Sequence, residues 1–557
     1  MAHLLFFVAA IAASLFWTAA CIAAAARIER PRLRGLLVAT GVIVPPLILL
    51  PWLLLATWLA FGIGLRTNWF APTLTAFLSA VIGGWWICRA GLARSAAGDD
   101  GRVAAAWPAF GLAALFLAAE AAAFGTLLGI ERDVVAAGRA LRVEAAQLMT
   151  ASLPPAPTPD DDAAPLYERA FAELAADKSL TASDSPPAKL LANWKTADVT
   201  TADGAALLAR HAATLDLVRR AAAKPGCRFV RNWTRPSLDM LVPEYPSMRE
   251  AARLLALAAR RESAAGDSAA ALRDVALLGR LATHTAAEPL VIAGFYSIAI
   301  DTVALEALAA VLPATAAGDL AVLNDPSFTD FLGTTVSFSR HLFGDEAGGL
   351  TAAADLADGA WGVLAYSGDE ADGFAAMATV AGPLASVYRC FLWPADVAGY
   401  KRCLRAYQRI FPDPADQPFP ATQERIAAIE RQLLAGSREG MLGPLLMPAL
   451  GGCFKAQCRN QALHRCAEVL VAITRARLAT GSLPESVAAF VPDQLPALPL
   501  DPFTADAPLR ATFSENGWIV YSVGPDGEDD GGPPPPVDEK APENDDVGLR
   551  LAAPSDR

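Results

Sequence analysis

Between Tyr521 and Gly532 the chain reads Tyr-Ser-Val-Gly-Pro-Asp-Gly-Glu-Asp-Asp-Gly-Gly, and after a proline-rich spacer it continues Asn544-Asp545-Asp546-Val547. Carboxylates at this density offer hard oxygen ligands. Gly524, Gly527, Gly531 and Gly532 let the backbone turn tightly enough to aim several of them inward. Two outcomes stay open: the loop holds a hard cation, or it is a solvated Asp-Gly turn with an acidic tail.

Other chemistry-bearing residues are sparser. Cys453, Cys458, His464 and Cys466 fall within one short window, but zinc sites pair their cysteines two to four residues apart. A disulfide or buried thiols on a helix is the expected outcome there. His211, His284 and His341 have no nucleophile or carboxylate at a recognised catalytic spacing. Glu120 lies inside a long apolar block, where an ionisable group is a functional candidate by default, but without a basic partner in the blocks a neutral, protonated packing role is the expected one.

The elements that position the acidic loop are legible just before it. Leu509–Ser514 and Trp518–Val523 are β-prone runs flanking Glu515-Asn516-Gly517, and Asn-Gly between such runs signals a hairpin. Upstream, Gly481-Ser-Leu-Pro-Glu485 ends a long helix, and proline-rich turns lead to Leu500-Asp501-Pro502-Phe503. A helix packed on a small antiparallel sheet is predicted, with the loop leaving the last strand.

This ending resembles the globular part of the major pseudopilin of type II secretion over about Gln461–Leu551. In that family, similar loops bind calcium through a backbone carbonyl after the last strand and downstream Asp side chains. The resemblance implies a calcium site formed by the Val523 carbonyl with Asp526, Asp529, Asp530, Asp545 and Asp546. The chain departs from the family in lacking a prepilin cleavage site and in its Pro533–Pro536 insertion, so it is not expected to be a pilus subunit. The region after the membrane blocks also resembles multi-pass membrane proteins of planctomycete-type bacteria, through Ala164-Pro-Leu-Tyr-Glu-Arg-Ala-Phe, a Gly266-Asp267 hairpin and the Asp501 to Gly532 ending. That likeness implies architecture and no activity.

The rest of the chain must carry this module. Hydrophobic residues make up 54% of the 557 positions, but unevenly. Four nearly uncharged blocks, 4–26, 35–65, 70–87 and 104–130, are each long enough to cross roughly 30 Å of hydrocarbon. Arg27, Arg30, Arg32 and Arg34 follow the first block, and Arg89, Arg94 and Arg102 follow the third, which places both loops in the cytoplasm. The chain beyond residue 130 is then expected outside the cytoplasm. No Lys or Arg precedes Arg27, so the first block reads as a span rather than a cleaved signal peptide.

Residues 1–130 hold eight Arg and four acidic residues; with −12 overall, the remainder is strongly acidic. That balance argues against nucleic-acid binding. Six cysteines, Cys227, Cys390, Cys403, Cys453, Cys458 and Cys466, lie beyond the blocks and are candidates for disulfides.

A linker rich in Pro and Asp covers 131–165, a helical domain 166–460, and the terminal module 461–557. Within the helical part, Met248–Ala265 and Ser268–Ala287 read as an antiparallel pair turned by Gly266-Asp267, with Asp267 as cap and Leu272, Val275, Leu278 and Ala282 on one face. The turn resembles that of a tetratricopeptide unit, but no second copy follows at that period, so an ordinary bundle is predicted. Leu290–Val311 is a third, apolar helix, and the Gly-rich stretch Phe331–Gly373 has no clear period.

The predicted fold is mainly α: four transmembrane helices, a helical extracytoplasmic domain, and a small C-terminal α+β module with an antiparallel sheet. The predicted role is structural or interaction-based rather than enzymatic, with the lipid bilayer and a protein partner as contacts. A membrane enzyme or transporter subunit using Glu120, or a component associated with a secretion or pilus machine, is the alternative.

Overall fold

A computed structural model of the chain describes residues 129–360, 388–410, 419–432, 451–533 and 544–553 apart from a few positions, the backbone of 107–128, and isolated positions at 20–30 and 442–443. Its helices begin with α1 (Trp107–Ser152), α2 (Ala164–Ala176), α3 (Pro186–Ala192), α4 (Ala202–Arg210) and α5 (Ala212–Ala222). Next come α6 (Glu244–Ala264), α7 (Ser268–Ala286), α8 (Val291–Val311), α9 (Leu320–Leu323) and α10 (Pro326–Gly333). They continue with α11 (Ser339–Ala357), α12 (Trp393–Gln408), α13 (Phe419–Leu434) and α14 (Leu450–Thr480). Three strands close the order: β1 (Arg510–Ser514), β2 (Gly517–Ser522) and β3 (Val547–Ala552).

The fold is mainly helical with one small antiparallel sheet, as the sequence implied. Of the four expected spans, blocks 4–26 and 70–87 lie outside the described residues but for isolated positions near the first, as does 35–65. Block 104–130 falls on α1. Among the described residues one helix, Val291–Ala314, is long and apolar enough to cross a membrane, and 61% of its apolar window is buried inside protein.

The chain forms two compact units, one of residues 1–142 with 352–398, the other of 143–351 with 399–557. In the first, Arg142 reaches Asp355 at 2.6 Å and Asp358 at 2.7 Å. Trp393 donates its indole N–H to the Ala353 carbonyl at 2.8 Å.

The second unit is built on α6, α7 and α8. Asp267 caps α7 by accepting from the Ala270 N–H at 3.0 Å, and Gly266 holds φ +92°, so the expected turn forms where its residues allow. Leu272, Val275 and Leu278 are fully buried and Ala282 nearly so. The first arm begins at Glu244, a turn earlier than its apolar pattern indicates. α8 carries apolar residues nearly all round because it contacts α6 and α7 and also α14.

α11 is a departure from expectation: a helix runs through Gly344, Gly348 and Gly349 in the stretch without a clear period. Gly344 and Gly349 permit close approach. A Cβ at Gly344 would stand 1.4 Å from the Pro289 carbonyl oxygen, and one at Gly349 would stand 2.0 Å from the Tyr400 hydroxyl. The same device recurs where aromatic rings enter notches. A Cβ at Gly279 on α7 would lie 2.1 Å from Phe331, and one at Gly294 on α8 would lie 2.6 Å from Phe338.

The sheet order is β1-β2-β3, all antiparallel, with Trp518 paired to Phe513 on one side and to Leu551 on the other. β2 and β3 pack on α14, which runs unbroken through residues 460 and 461.

Candidate functional site

The loop at 523–533 is held at its base by a residue whose role the sequence did not disclose. Asp501 is 1% exposed and accepts from the Ser522 hydroxyl at 2.6 Å, the Phe503 N–H at 2.9 Å and the Val523 N–H at 3.0 Å. It ties the Leu500–Phe503 turn to the end of β2. The hairpin forms as expected, with Ser514 opposite Gly517 and Gly517 at φ +106°. Trp518 anchors β2 by donating its indole N–H to the Pro484 carbonyl at 2.7 Å.

The tail beyond the proline spacer is not simply an acidic extension. It returns as β3, in which Leu549 and Leu551 are buried while Arg550 and Ala552 face out. That alternation was the available signal, compressed into six residues behind the prolines. The return brings Asp546 back over the loop. Its Oδ2 accepts from the Gly532 N–H at 2.7 Å and the Asp530 N–H at 3.1 Å. Asp546 is 7% exposed, and its other oxygen, Oδ1, is buried with no hydrogen-bond partner among the described residues. Burial pushes its carboxyl pKa up, with the Asp530 and Asp529 charges adding to the rise against the Gly532 amide.

The other implied ligands are placed differently. Asp529 pairs with Arg510 at 3.3 Å and accepts from the Tyr521 hydroxyl at 2.9 Å, which holds its carboxyl below the usual range. Asp545 reaches Arg459 at 2.9 Å and Lys455 at 3.8 Å on α14. Asp526 closes its own turn by accepting from the Glu528 N–H at 3.2 Å. Val523 is buried, its N–H taken by Asp501. So Asp546, on the returning tail, comes close to Asp529 and Asp530 of the loop, while Asp545 faces cations of the protein and Asp526 faces its own backbone. Among the described residues no group of three His, Cys, Asp or Glu side chains is placed as a metal site. The residues fit a cation at one point, the orphaned oxygen of Asp546.

Cys227, Cys453, Cys458 and Cys466 are buried thiols, not disulfides, and burial raises the thiol pKa, to about 12 for Cys453 and Cys458. The side chain of Cys390 lies outside the described residues, as does that of Glu120 on α1. Both ring nitrogens of His464 have partners other than the cysteines. Its Nε2 meets Asp301 Oδ2 at 2.6 Å and its Nδ1 meets the Leu332 carbonyl at 3.0 Å. Burial alone would lower its pKa, but the Asp301 carboxylate and the Leu332 carbonyl outweigh it and hold the imidazole above its ordinary value.

Two more residues of α14 complete this scaffold. Asn460 donates to Asp301 Oδ2 at 2.5 Å and accepts from the Val336 N–H at 3.0 Å, and Gln457 accepts from the Phe338 N–H at 2.9 Å. The segment 332–338 is thereby pinned across α8 and α14. Compared with models of known protein families, with characterised proteins and with solved structures, the chain matches none.

Proposed function

We propose that this protein is a membrane-anchored interaction protein. Residues 4–130 provide four spans, the helical body stands outside the cytoplasm facing a protein partner, and the terminal module is stabilised by calcium. The anchor rests on the four apolar blocks and the arginines between them. The calcium reading rests on one observation: Asp546 is buried, ionisable, and leaves Oδ1 without a partner among the described residues, beside Asp530. A buried carboxylate oxygen in that state is costly, and a cation removes the cost.

Asp546 and Asp530 would supply the first carboxylates. Val523, Asp526, Asp529 and Asp545 lie on the same loop and tail, and the pseudopilin resemblance assigns them to the remaining shell. Calcium would neutralise carboxylates that otherwise repel, so closure of the tail over the loop is linked to the ion.

The test is hydrogen exchange of the full-length protein in detergent, with millimolar calcium against chelator. Residues 523–533 and 544–553 should exchange more slowly with calcium, and Asp546→Asn should remove the difference. Equal exchange in the two conditions leaves the loop a solvated turn. A reporter fused after Arg557 that is active in the cytoplasm would overturn the topology.

A further inference from the structure

The segment pinned by α14 forms one wall of a cleft whose opposite walls are α7 and α8. Its volume is about 320 Å³, and its lining includes Arg340, Asp301, Thr283, Ser297, Thr335 and Ser337. That size accommodates a small metabolite rather than a peptide, and a few hydroxyls and two charged groups punctuate a lining that is otherwise largely apolar.

Two charged groups in the lining are incompletely satisfied. Arg340 donates from Nη2 to the Ala286 carbonyl at 2.5 Å, yet makes no ion pair among the described residues, and its Nε is buried without a partner. Burial lowers its pKa with no carboxylate to offset it. Asp301 is 3% exposed; its Oδ2 takes both His464 and Asn460, whereas Oδ1 makes no hydrogen bond among the described residues. The protein therefore holds a guanidinium and a carboxylate oxygen in one cleft without joining them to each other. A ligand with both an anionic and a cationic end would satisfy both.

We infer that the cleft binds a small zwitterion of the α-amino-acid class, its carboxylate on Arg340 and its ammonium on Asp301 Oδ1. The fork of Arg340 suits a planar carboxylate. Asp301 is fixed from behind by His464 and Asn460, so its free oxygen is pre-oriented before the ligand arrives. The site is independent of the acidic loop, and the protein can bind such a ligand whether or not it binds calcium.

The probes are the common free L-amino acids, each also as its carboxamide and its N-acetyl derivative, with acetate and inorganic phosphate as simple anions. Binding to the full-length protein in detergent is read by isothermal titration. At least one free amino acid should bind at millimolar concentration or below. Blocking either end should weaken it, the carboxamide through Arg340 and the acetyl derivative through Asp301.

Arg340→Gln should weaken binding by about ten- to a hundredfold, the worth of a charged hydrogen bond. Its circular dichroism should match the parent. Should that variant not fold, Arg340→Lys keeps the charge, loses the fork, and should still bind more weakly than the parent. The proposal fails if no free amino acid binds. It also fails if phosphate or acetate binds as well as the best of them, or if both Arg340 variants bind like the parent.

Discussion

Replacing Asp501 by alanine isolates the clamp under the terminal sheet. Three donors lose their acceptor at once: the Phe503 and Val523 amides and the Ser522 hydroxyl. The hydroxyl can rotate toward another acceptor, but the two amides are fixed by the backbone in a site where Asp501 itself is 1% exposed. Each buried unsatisfied donor costs about 1–3 kcal/mol, while removing a buried charge returns part of that. The net expectation is about 3–4 kcal/mol, carried by the end of β2.

Hydrogen exchange of the full-length protein reads this directly, since every 1.4 kcal/mol of local opening is about tenfold in rate. Amides of β2 and β3 should exchange a few hundred times faster in Asp501→Ala. Asp501→Asn keeps one carbonyl oxygen for two of the donors and should lose about 1–2 kcal/mol. Exchange in β2 within threefold of the parent would refute the clamp. Equal acceleration in α6 and α7 would show a global effect instead of a local one.

Three further outcomes are expected. Gly266→Val should destabilise the second unit by about 1–2 kcal/mol through its positive φ, because an added Cβ meets nothing within 4 Å; an unchanged melting temperature would refute it. His464 has a raised pKa in the fold, so its contribution is fully present below its unfolded value near about 6.5 and is lost as pH rises through the higher folded value. Stability should therefore fall with pH across that window, and His464→Gln should flatten the profile in urea titrations. Asp546 also has a raised pKa, so without calcium its contribution is present in acid and lost as pH rises. The calcium-dependent gain in melting temperature should grow from about pH 4 toward neutrality, and a constant gain would separate Asp546 from the ion.

What could be read beforehand followed the range of the physics. The turn at Gly266-Asp267 and the hairpin at Asn516-Gly517 are written in neighbouring residues, so local chemistry declared them. β3 was hidden because its alternation is brief and its partner strand lies across the proline spacer. α11 was hidden because glycine is a poor helix former, and only the approach of Pro289 and Tyr400 explains the choice. The cysteine window around His464 read as a disulfide or buried thiols, and nothing in it named the carboxylate partner of His464, which stands 163 residues away. Asp545 looked like a ligand, and the cations it meets lie on a helix 86 residues upstream for Arg459.

The rings seated in Gly279 and Gly294 carry a consequence for how this protein can vary. Phe331 and Phe338 fill space that exists only because the facing residue has no side chain, and they bracket the wall of the cleft. Neither partner of a pair can be exchanged alone without a clash or a void, so the two positions inherit change jointly. A lineage that enlarges residue 279 must shrink residue 331 in step. Each such exchange would shift the segment between the two rings, so the pocket's selectivity would drift through paired substitutions at its edges while the charged residues stay in place.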